Sequence, residues 1–119
     1  MVYQGEIIAR AHNRRELDCD ALAHAEVLCI SQACKKLHSW RLSGCTLYVT
    51  LEPCPMCSGA IINSRVDRVV YGAKDDKAGC AGSVADLFVM PFNHTPVIRS
   101  GILVEECGEI LSSFFSSLR

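Results

Sequence analysis

The chain has 119 residues, half of them apolar and 21% charged, which is the size and balance of one globular domain and excludes a disordered segment. Twelve basic residues meet 13 acidic ones for a formal charge of −1, so no whole-protein positive field draws in a polyanion and any nucleic-acid contact has to come from a local patch. No apolar run approaches the roughly 20 residues of a membrane span, and Met1-Val2-Tyr3-Gln4 does not open a secretion signal; a single cytoplasmic domain over residues 1–119 is expected.

Gly5 to His12 reads as a short strand with Gln4-Gly5 as a turn before it, and the polar run from Asn13 to Asp20 reads as loop. From Ala21 to about Leu37 apolar residues recur at helical spacing, with Asp20 as N-cap and Lys35, Lys36 and His38 near the C-terminal end. Cys45 to Leu51 is β-branched and aromatic and predicts a buried strand. Pro55 suits the first turn of a second helix running to about Ser64, and Asp67 to Gly72 predicts another strand. A glycine-rich stretch from Ala73 to Gly82 precedes a possible short helix at Ser83 to Phe88 and a weak strand at Val97 to Arg99. Ile110, Leu111, Phe114, Phe115 and Leu118 place an amphipathic helix within Gly101 to Leu118. Strands alternating with helices imply an α/β sandwich with some parallel pairing. No internal repeat or linker-like tract divides the chain.

Eight cysteines would suit a disulfide scaffold, but without a secretion signal they are expected to stay reduced. Cys19, Cys29, Cys34, Cys45, Cys80 and Cys107 stand singly and read as small hydrophobes. Cys54 and Cys57 are different: Cys54-Pro55-Met56-Cys57 sets two sulfurs on one side of a helix start, where the dipole favours thiolates. By itself this C-x-x-C suits a redox pair or half of a four-ligand structural zinc site. Ala23-His24-Ala25-Glu26 supplies a second element near another helix start. His24, Cys54 and Cys57 make three ligands, with no second C-x-x-C and no H-x-x-x-H to complete a closed site. Three protein ligands and an open fourth position form the catalytic arrangement for zinc, with Glu26 free to carry the proton of the activated water. His-x-Glu followed by Pro-Cys-x-x-Cys, here His24-Ala25-Glu26 and Pro53-Cys54-Pro55-Met56-Cys57, is the signature of zinc-dependent nucleobase deaminases.

Beyond these motifs the chain resembles the bacterial tRNA-specific adenosine deaminases of the cytidine/deoxycytidylate deaminase superfamily. The likeness rests on GEIIARAHN, AHAEVL, WRLSGCTLYVTLEPCPMCSGAIINSRVDRVVYGAKD and GILVEECGEILSSFF. The resemblance implies a three-layer αβα sandwich around a mixed sheet of about five strands, a homodimer, and hydrolysis of the wobble adenosine of a tRNA anticodon to inosine by a zinc-bound hydroxide. It implies one zinc ion per subunit held by His24, Cys54 and Cys57, with Glu26 as proton shuttle. It also implies that Asn13 hydrogen-bonds the flipped purine and that Asp75 lies on the loop meeting the neighbouring nucleotide. His12, His38 and His94 receive no role.

Two departures from the family pattern carry expectations. The family begins with an amphipathic helix and a full first strand, whereas this sequence starts on the last residues of that strand, so a shortened strand and unpaired neighbouring ladder groups are expected. The family follows Phe-Phe with basic residues, whereas Phe114-Phe115 is followed here by Ser116-Ser117-Leu118-Arg119. Phosphate contacts are then left to Arg14, Arg15, Lys35, Lys36, Arg41, Arg65, Lys74 and Lys77. The competing readings are a deaminase of a free base, nucleoside or nucleotide (guanine, cytosine or deoxycytidylate), a non-catalytic zinc module binding RNA or a partner, and a thiol oxidoreductase. Competition between RNA and small substrates separates the first, Glu26 argues against the second, and a titratable Cys54–Cys57 disulfide without bound metal would mark the third.

Overall fold

The computed structural model describes residues 1–117. Five strands form one mixed sheet: β1 (Val2–Tyr3), β2 (Glu6–Ile7), β3 (Cys45–Leu51), β4 (Arg68–Ala73) and β5 (Val97–Arg99), in the spatial order β2-β1-β3-β4-β5. Three helices accompany them: α1 (Ala25–Leu37), α2 (Pro55–Ser64) and α3 (Val104–Ser117).

The parallel half of the sheet follows from the β3-α2-β4 crossover, because two parallel strands need a connection long enough to return the chain to the same end. β3 and β4 pair from Thr46 opposite Arg68 to Leu51 opposite Ala73, and β5 continues the parallel ladder beside β4. β1 and β2 form an antiparallel hairpin turned by Gln4 and Gly5, both at positive φ (50° and 78°). β1 pairs with β3 only at Thr46 and Cys45. The first strand is two residues long, and among the described residues β3 pairs on that side at these two positions.

Alternation along the strands assigns the layers. Cys45, Leu47 and Val69 are buried with Cys29, Ile30 and Ala33 of α1 and Ile61 and Ile62 of α2. Residues of the opposite phase face α3, and Gly72 lies against Cys107 of that helix. The result is a three-layer αβα sandwich, with α1 and α2 on one face and α3 on the other.

The structure corrects four sequence expectations. The Gly5–His12 strand shrinks to Glu6–Ile7, since its ladder ends where the chain turns away to the loop. α1 starts at Ala25, not Ala21, and its N-cap is His24. Asp20 caps a local turn instead, its carboxylate accepting from the Leu22 amide at 2.9 Å. In place of a helix over Ser83–Phe88 there is a 3-10 turn at Leu87–Val89, started by Asp86 accepting from the Phe88 amide at 2.9 Å. α3 begins at Val104 where Gly101 was expected, and its anticipated last apolar position, Leu118, lies outside the described residues. Cys45–Leu51, Pro55–Ser64 and Val97–Arg99 agree at both ends, and the Asp67–Gly72 strand moves by one residue to Arg68–Ala73.

Candidate metal centre

Two chain breaks converge at the site. After β3 the chain passes through Glu52 and Pro53 to Cys54, which takes an extended conformation as N-cap of α2, with Pro55 opening the helix. Pro at that position loses no hydrogen bond, because the first amides of a helix have no carbonyl to meet. Cys57 follows one turn later, fully buried. On the other element His24 sits, also extended, immediately before α1. The packing of α1 against α2 then brings these two starts together.

His24 Nδ1 lies 3.6 Å from Cys54 Sγ and 3.5 Å from Cys57 Sγ. One donor atom from each of His24, Cys54 and Cys57 lies within 4.8 Å of the others, and this is the one such metal-ligating group among the described residues. Burial pushes the Cys57 thiol far above its ordinary range, and the negative charge of Glu26 and Cys54 pushes it the same way. One buried and one half-buried sulfur and an imidazole facing one point form a donor set that a soft or borderline cation satisfies and that fits poorly into an apolar core.

Glu26, in the first turn of α1, stands close enough to Cys57 to raise its proton affinity by charge and hydrogen bonding. A groove of about 320 Å³ runs from Glu26 between β3 and the segment that follows β2, lined also by Arg10, Ala11, Leu47 and Val49. The four residues read from the motifs are thus gathered in one place.

The two residues taken from resemblance are placed differently. Asn13 Oδ1 accepts from the Arg15 amide at 2.8 Å, closing its own turn and leaving the side-chain NH2 uncommitted. Its loop is tied to the segment before His24, since the Arg14 amide donates to the Ala23 carbonyl at 2.9 Å. Arg14 and Asp18 form an exposed ion pair at 3.0 Å within the same loop. Asp75 Oδ1 accepts from the amides of Lys77 and Ala78 at 3.0 and 3.1 Å, so this oxygen organises its own turn. Neither residue belongs to the ligand group. His94, given no role by the sequence, has its Nε2 2.6 Å from the Val66 carbonyl.

Sequence reasoning missed Glu52. This carboxylate is 2% exposed and receives donors only from the loop beyond β4. Burial alone would push its carboxyl up, but the Ser83 hydroxyl and the amides of Ala81, Ser83 and Asp75 outweigh it and hold the group below its usual value. The one available signal was an ionisable residue between the apolar strand and Pro53.

Comparisons with known proteins come down on the same chemistry. The MafB19-like deaminase family matches residues 1–119. A tRNA-specific adenosine deaminase of Bacillus subtilis (strain 168) is 58% identical over 120 residues, covering 100% of this chain and 74% of the relative. One from Aquifex aeolicus (strain VF5) is 45% identical over 119 residues and 79% of its length. In the chloroplastic tRNA(adenine(34)) deaminase of Arabidopsis thaliana, 43% identical, the matching part is 10% of the protein. Among solved structures, one from a study of A-to-I editing by tRNA:A34 deaminases at the wobble position superposes with a TM-score of 0.85 at 43% identity, over 92% of this chain and 80% of that one. The guanine deaminase of Bacillus subtilis gives a TM-score of 0.63 at 37% identity, over 93% and 74%.

Proposed function

The chain belongs to the MafB19-like deaminases and, within them, to the bacterial tRNA-specific adenosine deaminases, and from that membership we propose that it converts the wobble adenosine of a tRNA anticodon to inosine with one zinc ion per subunit. The observation that carries the reading is the convergence of His24, Cys54 and Cys57 on one point, in a chain 58% identical over its whole length to an enzyme bearing that activity in its name.

The spacing of the donors supports zinc. Bonds of about 2.1 Å to nitrogen and 2.3 Å to sulfur at a tetrahedral angle separate the two atoms by about 3.6 Å, and the observed separations are 3.5 and 3.6 Å. When bound, zinc would supply the Lewis acidity that lowers the pKa of water toward neutrality. His24, Cys54 and Cys57 would hold it. Glu26 takes the proton released as water adds to C6 of adenine and delivers it to the amino group, so that water and adenosine become inosine and ammonia. Asn13 offers its free NH2 to the purine, and the loop carrying Asp75 borders the next nucleotide. An anticodon loop suits such an enzyme because its bases are already single-stranded and turn out at little cost.

The whole chain acts as one deaminase domain in the cytoplasm, and among the described residues no helix is long and apolar enough to cross a membrane. We assign it to a homodimer, supported by the exposed Val89, Met90 and Phe92 beside a groove between α2 and the segment after the 3-10 turn.

The test is zinc-loaded protein with an anticodon stem-loop carrying adenosine at the wobble position, inosine being read by mass. Inosine from that RNA, and none when the adenosine is held in a duplex, is the expected result. A second reading, deamination of a free base such as guanine, has the guanine deaminase likeness in its favour. Release of ammonia from guanine, with no inosine from the stem-loop, would replace the first reading by the second.

A further inference from the structure

Glu52 is the one charged side chain buried among the described residues, and no lysine, arginine or histidine there pairs with it. Its four partners all come from one loop. Oε1 accepts from the Asp75 amide at 3.2 Å and from the Ser83 hydroxyl, and Oε2 accepts from the amides of Ala81 and Ser83 at 2.9 and 3.1 Å. The main chain tightens the same junction, with the Glu52 amide donating to the Ala73 carbonyl at 2.9 Å and the Cys80 amide to the Pro53 carbonyl at 2.8 Å. Gly79 passes so close that a Cβ there would meet the Glu52 carboxylate at 2.5 Å. Cys54, a residue of the metal centre, comes next but one after Glu52.

A buried carboxylate without a cation is costly unless every lone pair is used. Here all the acceptor capacity is spent on holding residues 75–83 to the strand–helix junction that carries the ligands. The held segment exposes Lys77, with Lys74 exposed just before it, at the end of the sheet where the metal centre lies. Phosphate contacts fix register on a nucleic acid, and lysines do so only if the backbone beneath them is fixed.

We propose that Glu52 is a positioning residue, latching the 74–83 loop to the metal centre so that Lys74 and Lys77 meet the RNA backbone in register with the reacting base. This rests on the tRNA-deaminase reading. The latch acts on binding of the long substrate, and its loss moves KM more than kcat.

The test compares the zinc-loaded parent with Glu52→Gln, which keeps the volume but turns an amide NH2 toward donors. Steady-state inosine formation from the wobble-adenosine stem-loop is measured together with backbone amide exchange at Asp75, Ala81 and Ser83. Loss of charge-assisted hydrogen bonds of this kind predicts a KM raised about tenfold with a much smaller change in kcat, and faster exchange at the three amides. Unchanged KM with unchanged exchange would overturn the proposal, as would a fall in kcat alone. If Glu52→Gln does not fold, Ser83→Ala and Ser83→Thr decide. Ala should raise KM and Thr, which keeps the hydroxyl, should restore it; equal KM values in all three proteins overturn the latch. If the parent itself makes no inosine, the functional reading fails, and exchange at the three amides decides the latch independently, lost protection supporting it and retained protection refuting it.

Discussion

Glu26 acts on the Cys57 thiol but supplies none of the three donors, so the proposed proton-transfer role can be separated from metal binding by substitution. Glu26→Ala should retain one equivalent of zinc by elemental analysis while turnover falls by about 10²–10⁴, the usual worth of a positioned acid–base group. Zinc loss in that variant, or retained turnover, would remove Glu26 from the role. Asn13 Oδ1 closes the turn onto Arg15, and among the described residues its amide nitrogen has no partner, which leaves it for the proposed purine contact. Asn13→Asp keeps an acceptor for that turn and deletes the donor. The melting temperature should hold while kcat/KM on the stem-loop drops about tenfold or more, the cost of leaving a buried base acceptor unpaired. Equal losses in stability and activity would make Asn13 a turn residue only. In the core, Ile61 is fully buried between α2 and the sheet, and Ile61→Ala should cost about 2–5 kcal/mol by denaturant titration.

At the scale of elements, two short approaches decide how the layers meet. The absent side chain of Gly72 in β4 lets Cys107 of α3 settle on the sheet; a Cβ there would overlap Cys107 and lie 3.0 Å from the Ile102 carbonyl. Gly72→Ala should lift α3 and destabilise the fold by about 1–3 kcal/mol, as overpacking does. Because α3 carries none of the ligands, zinc stoichiometry should be unchanged, and calorimetry with metal analysis checks both. The helix starts show a different balance. Asp20 has the residue type of an N-cap, yet its carboxylate is used two residues later on Leu22, and the chain makes a further turn before α1. That extra turn leaves His24 extended at the N-cap position, where its imidazole can reach across to α2. A helix begun at Ala21 would have turned His24 into the first coil and away from the sulfurs.

For the whole molecule the candidate metal centre would be a joint as well as the proposed reaction site. His24 precedes α1, while Cys54 and Cys57 open α2, so an ion held by all three ties two helices that otherwise meet through apolar contacts. A ligand at a thousand times its dissociation constant adds about 4 kcal/mol to stability. Removing zinc with a chelator should therefore lower the melting temperature by about 10 °C or more, and restoring zinc should recover it. A melting temperature indifferent to metal would mean that the three donors do not bind an ion in the folded state.

Some of this was written locally in the sequence. Cys45–Leu51 and Pro55–Ser64 agree with the structure at both ends because β-branched patterning and an N1 proline act on neighbouring residues. The convergence of His24, Cys54 and Cys57 was legible for the same reason: Cys54 and Cys57 share one helical turn, and His24 stands at another helix start. Other features depended on groups far along the chain. The β1–β2 hairpin is as short as its ladder, and the ladder ends where the chain must leave for the Asn13 loop. The 3-10 turn at Leu87–Val89 replaces a helix because Asp86 and the Ala81–Asp86 bridge close that segment onto itself. Glu52 went unread because its partners lie 23, 29 and 31 residues away. Residue type and close spacing thus specified the candidate donor set and the start of α2, since motif spacing and an N1 proline act locally. Which carboxylate is buried, which loop it holds and where α1 and α3 begin were decided only in the tertiary structure, since a hydrogen bond across 30 residues leaves no periodicity to read.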